Sequence, residues 1–132
     1  MFLNQLTVLE KEAFISLSIH AAKANWVFAD EEYAILEEYC MEMGIAFFDA
    51  ENIKPIDVIV DVFKESTDHN KKIVLLEILG LVYSDGKFDE REKAFVKEYA
   101  RKIGLTDSDV EKQTKLINKY LGVLKEIVEA ID

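Results

Sequence analysis

Three carboxylates, Asp85, Asp89 and Glu92, fall within eight residues of one another in the stretch "DGKFDERE". Oxygen donors at such spacing suit a hard divalent cation such as Ca²⁺, Mg²⁺ or Mn²⁺. Set against an EF-hand loop, Gly86, Phe88 and Glu92 match the sixth, eighth and twelfth positions, with Asp85 and Asp89 at the fifth and ninth. Positions one and three are then Leu81 and Tyr83, which bring no carboxylate. A regular EF-hand is therefore not expected, and a weaker site would need water or backbone carbonyls. The same residues also have a purely structural reading. Asp89 is a strong helix N-cap, Glu92 completes a capping box three residues later, and Gly86 can reverse the chain. Both readings stay open on the sequence.

A second acidic feature lies upstream. No Lys or Arg occurs between Lys23 and Lys54, an interval that holds eight acidic residues. On a helical wheel Glu31, Glu38 and Glu42 share the side opposite the apolar stripe, where Glu38 and Glu42 form a repulsive i,i+4 pair. Sixty residues later the same places hold Glu98 and Lys102, a favourable pair. This asymmetry suggests a flank for a protein partner with a basic surface; a solvated face is the plainer alternative. The whole chain has a net charge of −10 and a pI near 4.7. Phosphate backbones are repelled by such a protein, so nucleic acid is not an expected partner.

Other chemistry is sparse. His20 and His69 are far apart and Cys40 is the single cysteine, which gives no zinc spacing and no intrachain disulfide. No nucleophile–base arrangement, P-loop or nucleotide fingerprint is visible. His20 is expected to be a packed histidine and Cys40 an inert core thiol. Trp26, Phe47 and Phe48 lie in or near loops and are expected to close the core, the alternative being an exposed contact surface. The longest apolar run, Ile73 to Tyr83, is broken by Glu77 and is half a membrane span. With no signal-peptide pattern either, a cytoplasmic protein without direct membrane insertion is expected.

The elements that must position these residues are helices. One proline and five glycines in 132 residues leave few breakers, and half of the residues are apolar. Thr7 and Glu10 form a capping box that opens a helix to about Ala24. That helix and Asn70–Ser84, which Asp68 can cap, are apolar nearly all round and are the expected central pair. Ala21, Ala22, Ala24 and Gly80 would permit their close approach. Leu36, Tyr39, Cys40 and Met43 form one amphipathic stripe; Val96, Tyr99, Ala100 and Ile103 form another. Gly44 and Gly104 stand where a helix needs a left-handed residue. Pro55 starts a helix to about Ser66 with an apolar face of Ile59, Val62 and Phe63. Thr106 to Asp109 cap a last helix, which Gly122 is expected to loosen.

The pattern is duplicated. Shifted by sixty positions, Asn25–Ile45 falls on Asp85–Leu105 without a gap, with six identities in 21 positions. Phe28 meets Phe88, Glu32 meets Glu92, Tyr39 meets Tyr99 and Gly44 meets Gly104. The expected fold is all-α: a single domain over residues 1–132, one bundle of six or seven helices. It is built from two related helix-loop-helix halves, 17–52 and 77–112.

An apolar helix, then Asp-Gly-x-apolar-Asp-x-x-Glu, then an amphipathic helix ending in Gly-apolar resembles the TerB-like tellurite-resistance family. "YSDGKFDEREKAFVKEYARKIGL" carries the resemblance best and "KANWVFADEEYAILEEYCMEMGI" carries it in degenerate form, over about Ala13 to Glu111. The resemblance implies a cytoplasmic all-helical protein of a stress response, tied to membrane-associated assemblies and to divalent-metal binding. It points to Asp85 and Glu92, beside Asp89, as site residues. The degenerate copy offers Asn25, Asp30 and Glu32, with Trp26 and Ala29 departing from the pattern. The expected function is a non-enzymatic interaction or scaffold module; the alternative is a cation binder or sensor using the Asp85–Glu92 loop. No cofactor is expected apart from that cation.

Overall fold

The computed structural model describes residues 1–24, 30–45, 51–84 and 90–132, without the Glu31 side chain. These form a short 3-10 turn, Leu3–Gln5, and six α-helices: α1 Val8–Lys23, α2 Asp30–Met43, α3 Ile56–Lys64, α4 Asp68–Val82, α5 Glu90–Lys102 and α6 Asp107–Ile131. Among the described residues there is no strand, and the architecture is the expected all-α bundle.

α1 begins where the sequence places it. Thr7 Oγ1 accepts from the Glu10 amide, and Glu10 accepts from the Thr7 amide at 2.8 Å. α1 lies against α2, α3, α4 and α5, whereas α4 lies against α1, α2, α5 and α6. The two apolar helices are thus the centre of the bundle, and Phe14, Leu17, Leu75 and Ile78 are fully buried. Burial on every side explains why neither helix has a polar face. Gly80 plays a smaller part than expected. A methyl group there would meet Tyr39 Oη at 3.5 Å and Ile117 at 3.6 Å, which is ordinary contact, so close approach does not require the glycine.

α2 and α5 bury the expected stripes. Leu36, Cys40 and Met43 are buried on α2, as are Val96, Tyr99 and Ala100 on α5, with Ile103 just beyond. Both helices end alike. Gly44 and Gly104 take φ of 75° and 92°, and the next amide bonds back five residues, Ile45 to Cys40 and Leu105 to Ala100. This left-handed closure is open to glycine at little cost. At Thr7 and Thr67 the sixty-residue correspondence extends further: each caps its helix by accepting from the amide three residues on.

Four local expectations need correction. The α4 cap is Thr67, and Asp68 is the first helical residue. Two adjacent residues could serve, and the hydroxyl in extended backbone takes the role. Pro55 caps α3 from outside, and the helix stops at Lys64, after which Ser66 Oγ bonds Glu10. Val60 joins Ile59 and Phe63 in the core, while Val62 is only partly buried. α6 runs unbroken through Gly122, since one glycine costs about 1 kcal/mol in a helix and 25 residues share that cost.

Candidate functional site

The described residues bring one acidic constellation together. Glu38 and Glu42 on α2 and Glu77 on α4 line a groove of about 460 Å³, whose far wall is Ile117, Tyr120, Leu121 and Leu124 of α6. Ile35, Tyr39, Leu76 and Gly80 also line it. Glu77 is only 3% exposed, and a carboxylate so placed must be compensated. Its Oε1 accepts from the Met1 ammonium at 2.7 Å and from the Phe2 amide at 3.0 Å. Glu42 adds a second carboxylate to the same ammonium at 3.2 Å. Burial disfavours the charged amine, but the bonds and charges of Glu77 and Glu42 outweigh it and raise its pKa.

Tyr39 completes this corner. Its hydroxyl donates to the Glu77 carbonyl at 2.8 Å, and its ring packs on Phe14. Burial, reinforced by the negative charges of Glu77, Glu42 and Glu38, pushes the phenol well above its ordinary pKa. The corner therefore has a negative potential in a partly apolar setting, a combination that favours a cation on an apolar stalk.

Of the expected partner-binding residues, Glu38 and Glu42 meet here, and the Glu31 side chain lies outside the described residues. Glu98 and Lys102 do form the favourable pair, at 3.6 Å. Among the expected metal ligands, Asp85, Asp89 and Asn25 lie outside the described residues. Trp26, Phe47 and Phe48 lie outside them too. Asp30 is exposed at the start of α2. Glu32 and Glu92 are buried at 2% and 3%, in the first turns of α2 and α5, and both interact with neighbouring groups. Among the described residues no group of three His, Cys, Asp or Glu is placed to hold a metal.

The structure adds residues that the sequence did not single out. Glu77 appears there only as a charge interrupting an apolar helix, and that interruption is the signal. Glu10 appears only as a cap. In the fold it also accepts from Ser66 Oγ and from Asn70 Nδ2 at 2.9 Å, so one carboxylate ties α1 to the end of α3 and the start of α4. His20 is half-buried with Nε2 2.8 Å from the Lys54 carbonyl, a structural contact. Cys40 is buried, and burial together with Glu37 raises its thiol pKa.

The duplicated helix pairs, the paired glycine ends and the buried glutamate in each first turn agree with one family. The profile of tellurite resistance protein TerB matches residues 11–115. The chain belongs to the TerB family. Searches of curated proteins and of solved structures gave no match. The TerB match takes in most of α1, all of α2 to α5 and the start of α6, and so includes Glu38, Glu42, Glu77 and Glu92. No described helix of this TerB-family chain is long and apolar enough to cross a membrane.

Proposed function

We propose that this TerB-family chain is a non-enzymatic, cytoplasmic interaction module of a tellurite-resistance-type stress response. In this reading the acidic α2 flank and the adjoining groove take a basic segment of a protein partner, itself part of a membrane-associated assembly. The observation that carries it is the ammonium group held by Glu42 and Glu77 at the groove. A lysine side chain presents a primary ammonium as well, on an apolar stalk that suits the groove's apolar lining. Calorimetric titration with a lysine-rich amphipathic peptide tests this. Micromolar binding is expected, weakened at least about tenfold by Glu38→Lys with Glu42→Lys and by raised salt. Equal affinity for an acidic peptide of the same length would refute it.

A second reading has its own support. Glu32 and Glu92 occupy corresponding buried positions beside the two loops, and cation coordination is one way to stabilise a carboxylate away from water. Here Glu92, with Asp85 and Asp89, takes Ca²⁺, Mg²⁺ or Mn²⁺. Titration of chelator-stripped protein is expected to give heat that Asp85→Ala and Glu92→Gln each abolish. Unchanged heat in both variants would place any cation elsewhere.

A further inference from the structure

The TerB match stops at residue 115, but α6 continues to Ile131. This extension carries apolar side chains in a regular order. Ile117, Tyr120, Leu124, Ile127 and Ile131 recur at alternating spacings of three and four, the seam of a helix that pairs with another helix. Ile117 is buried in the bundle, Tyr120 and Leu124 line the open groove, and the rest of the seam stands largely uncovered among the described residues. Tyr120, Leu124 and Ile127 are 43%, 41% and 53% exposed, and Ile131 is 80% exposed. Val123 and Val128 widen the stripe at 46% each. A contiguous apolar stripe about 20 Å long, at 1.5 Å per residue, is more than scattered surface residues explain.

The charges say what covers it. Residues 112–125 hold Lys112, Lys115, Lys119 and Lys125 and no acidic residue. Residues 126–132 hold Glu126, Glu129 and Asp132 and no basic one. A helix that is basic in one block and acidic in the next complements a copy of itself running the opposite way. Parallel pairing would instead set like charges side by side.

We infer that the chain forms a two-fold dimer in which the α6 extensions of two copies pair antiparallel through the Tyr120–Ile131 seam. The axis falls between Leu124 and Ile127. Leu124 of each copy then lies level with Ile127 of the other, and Tyr120 with Ile131. In the same register Lys119 lies level with Asp132 and Lys125 with Glu126. Such an interface is self-complementary and closed, which limits assembly to two copies. Tyr120 and Leu124 also line the acidic groove, so pairing and a partner seated there would compete, but the pairing rests on the apolar order and charges of α6 alone and stands or falls apart from the function proposed above.

Sedimentation equilibrium of the full chain, with Leu124→Asp and Ile127→Asp as variants, tests the pairing. Both positions are exposed, so each variant is expected to keep the wild-type helical content. The expected result is a mass of twice 15.2 kDa for the wild type at micromolar concentration and 15.2 kDa for the variants. Direction is read from disulfide capture. Lys119→Cys mixed with Asp132→Cys is expected to cross-link far faster than either alone. A monomeric wild type, a dimer untouched by both aspartates, or faster capture of Lys119→Cys with itself would each overturn the inference. So would a monomer whose seam instead binds lipid vesicles.

Discussion

Phe14→Ala is expected to lower the free energy of unfolding by about 3–5 kcal/mol. Phe14 is fully buried on the central helix α1, and its ring sits 5.4 Å from the Tyr39 ring, tilted by 54°. Truncation removes the buried ring and leaves a cavity beside a helix that touches four others, so little can move to fill it. The loss also reaches the groove, because Tyr39 is held between Phe14 and the Glu77 carbonyl. Domains of this size are stable by about 5–15 kcal/mol in all, so the variant gives up a large share. Urea unfolding followed by far-UV circular dichroism should show a lower midpoint with an unchanged slope. A loss below about 1 kcal/mol would mean that the core around α1 repacks, contrary to its fixed position here.

Glu10→Ala is expected to cost about 2–4 kcal/mol at neutral pH. The carboxylate accepts from the Thr7 amide, Ser66 Oγ and Asn70 Nδ2, and all three lose their partner together. The pH dependence separates charge from packing. Burial alone would raise this carboxyl's pKa, but the bonds from Ser66, Thr7 and Asn70 outweigh it and lower the pKa from 4.5. A carboxylate whose folded value is depressed stabilises above its unfolded value and loses that contribution as pH falls through the folded one. The gap between wild type and Glu10→Ala should therefore be widest at neutral pH and shrink below about pH 4.5. A gap that stays constant to pH 2 would assign the effect to packing.

The part of the fold that follows from local chemistry was legible in the sequence. The stripes of α2 and α5 depend only on helical periodicity, and the Gly44 and Gly104 turns only on the freedom of glycine at positive φ. The Thr7 and Thr106 capping boxes are local in the same sense. Where two neighbours could do one job, as with Thr67 and Asp68, composition could not choose and backbone geometry did. The candidate site was less legible. Glu38 and Glu42 follow from a wheel, but their meeting with Glu77 and Met1 joins residues up to 76 positions apart. No short-range pattern encodes such a contact. The same holds for Glu10, whose cap is local and whose bonds to Ser66 and Asn70 are not.

The two central helices also determine how the chain must reach this state. α1 belongs to the first half and α4 to the second, yet they pack on each other, and α1 reaches α5 as well. Each half therefore takes part of its burial from the other. The sides of α1 and α4 that face each other stay exposed to water until the two halves meet. Bringing α1 onto α4 closes a ring of about sixty residues, and the buried contacts between the halves follow only after that entropic cost is met. Two stretches alike in sequence pattern thus share one buried cluster, and the contacts that join them are the ones that span the greatest separation in the chain.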